Sequence, residues 1–300
     1  MKRADKFKCL TLSFSILFMI LFATFILELF SASSLAWGRI GIAFIFGRRW
    51  DPLNGVYGAL PFIYGTLVSS TFALMVAGAL GLGAAIFLSE ISPKPLREPL
   101  SAVVELIAAI PSVVIGLWGV FVLVPFVRDS LQPLLSPLSF IPLFSGRSPS
   151  GLSMLTAIIV LSFMITPIVV TVARDCLLMV PQELKEAAYG LGAGRYEVIR
   201  HVSIPYAKSG ILGGLILGYG RAIGETMAVT MVIGSSYTIS QSLLSPAHTM
   251  AAVLANEFAE ATDSLYLSSL TAIALLLALI SILINLAGRA VVVKWRRVGR

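Results

Sequence analysis

Apolar residues gather into six long runs, at 9–30, 61–88, 100–126, 151–173, 209–234 and 266–287, and most charged residues stand in the stretches between them. Each run reaches or exceeds the roughly 20 residues that a helix needs to cross a bilayer core, so the pattern predicts six transmembrane helices. The first run follows MKRADKFK and could be a signal peptide cut near Ser31, Ala32 and Ser33. A signal core is only about 7–15 residues long, so a retained helix is favoured. The connections at 31–60 and 127–150 are rich in Pro, Gly, Ser and aromatic residues, which predicts short interfacial helices and turns with Trp37 and Trp50 as interface anchors.

Composition agrees: 57% of the 300 residues are hydrophobic and 12% are charged, against about 25% charged in soluble domains. The net charge of +7 forms no continuous basic face, which argues against nucleic acid, because Lys and Arg sit at the ends of the apolar runs. With the amino terminus inside, sixteen of the 22 basic residues fall in cytoplasmic segments, five (Arg39, Arg48, Arg49, Arg128, Arg147) in outer loops, and Arg221 within a span. Both termini are therefore expected in the cytoplasm, with the connection at 235–265 outside. Cys9 and Cys176 lie beside basic stretches on the reducing side and are expected to be unpaired packing residues.

The least lipid-like stretch, PQELKEAAYGLGAGRYEVIRHVSIPYAKSG, joins the fourth and fifth runs. Pro181 suits a helix start and Glu183 and Glu186 favour its positive end. Gly190, Gly192 and Gly194 then break it before a second short helix, expected to stop at Pro205. Within it Glu186, Ala187, Ala188, Gly192, Val202, Ile204 and Pro205 stand at the spacing EAA, three residues, Gly, nine residues, hydrophobic, any, hydrophobic, Pro. This resembles the signature loop of ABC importer permeases. The resemblance implies a type I (MetI-like) all-α core and a coupling helix that docks on a separate ATP-hydrolysing subunit through Glu186, Ala187, Ala188 and Gly192. The phosphate-cradling pattern G-x-x-x-x-G-K-[ST] is absent and Gly-Lys never occurs, so this chain is not expected to hydrolyse ATP.

The fifth run carries Arg221 and Glu225, four residues apart. A mid-membrane charge costs about 2.5–3.5 kcal/mol on insertion scales and marks a functional residue. At about 100° per residue Gly210, Gly214, Gly218 and Ala222 share an arc about 120° wide, and Arg221 and Glu225 fall inside it. The pair is therefore expected to face the bundle, either as a structural bridge or as an anion ligand and its regulator. Glu105 is expected to make a helix-end contact near the cytoplasmic surface.

From about Trp50 onward, NGVYGALPFIYGTLVSS, GLGAAIFLSEISP, ELIAAIPSVVIGLWG and GRAIGETMAV resemble the PstC-type permease family of the Pst phosphate importer. That resemblance implies phosphate passage past Arg221 and Glu225. It implies as partners a PstA-type sister permease, a PstB-type ATP-binding subunit, a PstS-type external phosphate-binding protein and membrane lipid, with no cofactor. The expected organisation is residues 1–60 as first helix and outer loop, 61–288 as the permease domain with the coupling loop at 181–205, and 289–300 as a basic tail. Sulfate, molybdate or tungstate are alternative cargoes. A secondary transporter is the alternative class, but it needs no EAA loop and the chain offers no convincing inverted repeat. An intramembrane enzyme is disfavoured, because His201 and His248 fall on opposite sides and no metal-ligand cluster is present in the sequence.

Overall fold

The computed structural model describes residues 2–146 and 148–298, with side chains for 7–146 and 148–294. Of the basic residues counted above, Arg147 and Arg300 lie outside the described residues, as do the side chains of Lys2, Arg3, Lys6, Arg296 and Arg297.

The chain is all-α. Helix α1 (Lys2–Ala32) leads through the short α2 (Ser34–Arg39) and α3 (Ala43–Phe46) to α4 (Leu60–Ile86), and α5 (Lys94–Ala108) precedes a span built of α6 (Ser112–Trp118), α7 (Val124–Phe126) and α8 (Gln132–Leu135). Helix α9 (Met154–Leu178) follows, then the loop helices α10 (Gln182–Gly190) and α11 (Arg195–Val198), the pair α12 (Ile204–Ile223) and α13 (Met227–Val232), α14 (Met250–Glu257) and α15 (Ser264–Val298). Among the described residues five segments are long and apolar enough to cross a membrane: Phe7–Ala32, Leu60–Ile91, Ser112–Leu138, Met154–Leu178 and Ser264–Lys294. The fifth predicted span, between the last two of these, is present but broken at residues 224–226 into α12 and α13.

The third predicted span is displaced. Residues 100–108 belong to α5, and the crossing runs from Ser112 to Leu138. Pro111, with φ −58° and ψ 138°, forces extended backbone between them and ends the α5 helix. The first part of the connection expected at 127–150 is therefore helical. Glu105 consequently sits near the end of α5, where it meets Arg174 at 3.4 Å.

Three prolines within helical segments share one device, which Pro99 of α5 and Pro167 of α9 do without. Five-residue π turns at Gly119–Leu123, Val127–Leu131 and Ile199–Ser203 are each followed two residues later by Pro125, Pro133 and Pro205. The widened turn relieves the clash of the proline ring with the carbonyl four residues back and absorbs its missing N–H. This is why α11 does not stop at Pro205, as its sequence suggested, but runs on into α12.

The bundle centres on α4 and α9. Ser69, Ala73, Ala77, Gly81 and Ala85 recur at four-residue spacing along α4 and are all buried. Small side chains at this period let two helices close on each other, and van der Waals contact then supplies the attraction that lipid cannot. The stripe Gly210, Gly214, Gly218 and Ala222 does the same for α12: a Cβ on Gly210 would overlap Cys176 Sγ, and one on Gly214 would lie 3.1 Å from Val172 Cβ of α9. By contrast, the side chains described on α1 are exposed along most of its length.

Two ends are distinguishable. At the far end, Trp50 and Tyr57 are buried with Phe62, Met250 and Leu270, the Trp50 ring lying 5.0 Å from Phe62. Trp50 is thus core rather than an interface anchor, while Trp37 is half-buried and donates to Ser33 Oγ at 3.1 Å. At the loop end, Ala85, Ala173, Leu177, Val180, Ala207 and Ile211 form a smaller core beneath α10 and α11.

Candidate functional site

Arg221 occupies the last turn of α12, where a cation complements the negative end of the helix, and Glu225 lies within the break. Nη1 of Arg221 donates to Oε2 of Glu225. Oε1 of Glu225 accepts the backbone N–H of Ala228 at 3.2 Å, so the carboxylate also caps α13. The two partners differ sharply in burial: the Glu225 side chain is 3% exposed and that of Arg221 42%. The shared arc expected from the sequence holds for Gly214, Gly218, Ala222 and Glu225, all buried. Arg221 lies at the arc's edge, beside the open face marked by Leu217 and by Gly213, whose Cβ would meet nothing within 4 Å. A hydrogen bond of 2.9 Å between Thr71 and Tyr219 ties α4 to α12 just before the pair.

The loop folds as helix, turn, helix. Gly192 adopts φ +86°, the left-handed conformation that lets Ala193 N–H return to Ala188 carbonyl at 3.1 Å. Gly194 N–H then donates to Glu197 Oε2 at 2.7 Å at the start of α11. Glu186, Ala187 and Gly192 are exposed and Ala188 is half-buried. Beside them Leu191 is 90% and Tyr196 69% exposed, an uncovered apolar patch on a polar loop.

Two clusters escaped the sequence reading. At the loop end, Lys185 Nζ meets Glu90 Oε1 at 2.8 Å, with both side chains nearly buried. Arg195 donates to the carbonyls of Glu90 and, at 3.2 Å, Ile91, and Arg97 donates to the Ser89 carbonyl at 2.8 Å. Arg97 and Arg195 sit on carbonyls of the π turn Phe87–Ile91 that extends α4, and Lys185 and Arg195 bolt the loop to that end of the helix. A lone Glu closing a 30-residue apolar stretch was the one signal available. At the far end, Glu257 is buried and accepts Trp50 Nε1 at 2.8 Å, Tyr237 OH at 2.6 Å and Tyr266 OH at 2.7 Å. Burial, with the hydrogen bond to Glu257 second, pushes the Tyr237 hydroxyl well above its usual range. His248 packs 5.5 Å from Phe62 and 5.8 Å from Tyr237, and burial lowers it to about 4. No group of three or more potential metal ligands occurs among the described residues.

Comparison with known proteins fits this geometry. Residues 77–297 match the family described as binding-protein-dependent transport system inner membrane component. The phosphate transport system permease protein PstC of Mesorhizobium japonicum is 45% identical over 93% of this chain and 86% of its own length. That of Haemophilus influenzae is 40% identical, over 97% and 93%. An inward-facing structure of the MetNI methionine ABC transporter shares the fold with a TM-score of 0.61 at 17% identity, covering 82% of this chain and 99% of that one. The chain therefore belongs to the inner-membrane component family of binding-protein-dependent transport systems, and is a multi-pass membrane protein grouped with the PstC permeases.

Proposed function

We propose that this chain is the membrane-spanning permease subunit of an ATP-driven importer, that its cargo is inorganic phosphate, and that the anion passes Arg221. The observation that carries the residue assignment is the asymmetry of the pair at the break. Glu225 is buried and held by the Ala228 N–H, whereas Arg221 reaches onto an open helix face. The carboxylate is thus the fixed partner and the guanidinium the movable one. A guanidinium offers a tetrahedral oxyanion two parallel hydrogen bonds and offsets part of its desolvation cost. Return to Glu225 discharges the anion, so binding stays transient. The names of the relatives support phosphate as the cargo.

In this reading the loop end is cytoplasmic, as are both termini, in keeping with the bias of basic residues. A PstA-type sister subunit covers the open face of α12 and completes the path. A PstB-type ATPase receives Glu186, Ala187, Ala188 and Gly192 of the 181–205 loop together with the exposed Leu191. A PstS-type binding protein delivers phosphate at the far end. ATP hydrolysis belongs to the partner and not to this chain.

The test is phosphate flux into vesicles reconstituted at matched levels of complex. Arg221→Gln should abolish flux while assembly persists, and Arg221→Lys should restore part of it, since it keeps the charge and loses the planar fork. Wild-type flux through Arg221→Gln would remove the role given to this residue.

A further inference from the structure

At the loop end, the close of α4, the start of α5 and the helices α10 and α11 surround a cavity of about 600 Å³, within the roughly 300–1,000 Å³ typical of small-molecule sites. Its wall holds Lys94, Arg97, Lys185 and Arg195 against one carboxylate, Glu90. Four cations less one anion leave a formal charge of +3 facing the same space.

Arg97, Arg195 and Lys185 are fixed but not saturated. Arg97 and Arg195 are held by Nη2 on the carbonyls of residues 89–92, and each guanidinium has five N–H donors in all. Nε of Arg97 is buried with no hydrogen-bond partner. Lys185 is anchored on Glu90 by one of its three donors. Spare donors on preorganised cations around a concave space suit a compact, multiply charged oxyanion, which would relieve their mutual repulsion and satisfy the orphaned N–H.

We propose that this cavity is a second phosphoryl-binding site, taking inorganic phosphate or the phosphate of an anionic lipid headgroup. It is separate from the transport path: Arg221 lies 17 residues beyond the start of α12, about 25 Å along the helix at 1.5 Å per residue. Occupancy would draw Lys185 and Arg195 toward the anion and away from Glu90, and so would loosen the loop against the end of α4 without touching the path.

The test is protection of Lys94 and Lys185 from an amine-reactive reagent, read by mass spectrometry on the purified full complex. With ligand at about ten times its Kd, the free fraction and hence the labelling rate should fall about tenfold. One arm adds inorganic phosphate in detergent, with chloride at matched ionic strength as control. The other uses nanodiscs of phosphatidylglycerol or of phosphatidylcholine in buffer free of inorganic phosphate. Protection by phosphate over chloride assigns the site to the free ion, and protection only in phosphatidylglycerol assigns it to the headgroup. No protection in either arm, or equal protection by chloride, overturns the proposal. Lys94→Gln, at an exposed position, should cut the protection of Lys185 several-fold, and an unchanged value would also overturn it. Protection that vanishes in Arg221→Gln would place phosphate in the path instead and refute the second site. Failure of transport in that variant with protection intact would leave the two assignments independent.

Discussion

Replacing Glu90 by Gln isolates the bolt that holds the loop to α4. The substitution keeps shape and a carbonyl acceptor for Lys185 Nζ, now 2.8 Å from Oε1, but it removes the charge. Lys185 is 12% exposed and Glu90 9%, so the orphaned ammonium stays largely out of water. Breaking a buried pair from one side costs about 3–5 kcal/mol. Residual exposure and the retained hydrogen bond place this case near about 3 kcal/mol, at the low end of that range. The cost is local, because Arg195 still grips the Glu90 and Ile91 carbonyls and the bundle core is untouched. At about 1.4 kcal/mol per decade the loop should open about a hundredfold more often. Amide hydrogen exchange over residues 182–203 reads that opening directly. We expect Glu90→Gln to speed exchange there about a hundredfold, and adding Lys185→Gln to recover most of the loss, because no charge is then stranded. Exchange at the wild-type rate in the single variant, or a double variant no slower than the worse single one, would refute the reasoning.

The φ of +86° at Gly192 predicts that Gly192→Val costs about 1–2 kcal/mol at the turn and lowers uptake, whereas Gly192→Asn retains it; equal uptake in both would count against the turn's role. Burial holds His248 near 4, below its ordinary 6.5, so the unfolded chain binds the extra proton between those values. Stability from this residue is full above about pH 6.5 and is lost as pH falls toward 4, a swing of about 3 kcal/mol. Thermal unfolding should show this slope flattened in His248→Ser, and an identical slope would disprove it. A reporter fused after Leu265 should be active only outside and one after Arg300 only inside; the same side for both would contradict the orientation.

Hydrophobic run length was enough to place α4, α9 and α15, because a lipid-facing helix writes itself as an uninterrupted apolar stretch. It failed at α5 because Ala102, Val103, Val104, Leu106 and Ile107 merge without a gap into the run after Pro111. There the proline, not the hydropathy, sets the boundary. Pro205 misled in the opposite direction, since a π turn is a backbone adjustment that leaves no residue-type signal. The Arg221–Glu225 pair was legible because its members stand four residues apart in the sequence, although the helix breaks between them. The cluster around Glu257 was not, since Trp50 lies 207 residues away from it and only the tertiary fold brings them together. Lys185 and Glu90, 95 residues apart, were hidden for the same reason.

The interruption at residues 224–226 also governs what can surround it. An intact helix satisfies its own main chain, but here the 224 amide bonds back to Gly220 and the 225 amide to Ala222, and the next donor served is that of Ala228, by a side chain. Of the carbonyls that end α12, those of Gly220 and Ala222 are served in this way, whereas those of Arg221 and Ile223 receive none of the backbone N–H groups that a continuous helix would have supplied. Hydrocarbon offers no substitute, and each such group costs several kcal/mol there. Acyl chains are therefore kept from this level of the bundle whatever Arg221 is doing. The gap in the helix reserves a wet or protein-lined corridor by itself, so a variant that removes both charges would still leave a polar seam at this depth of the membrane.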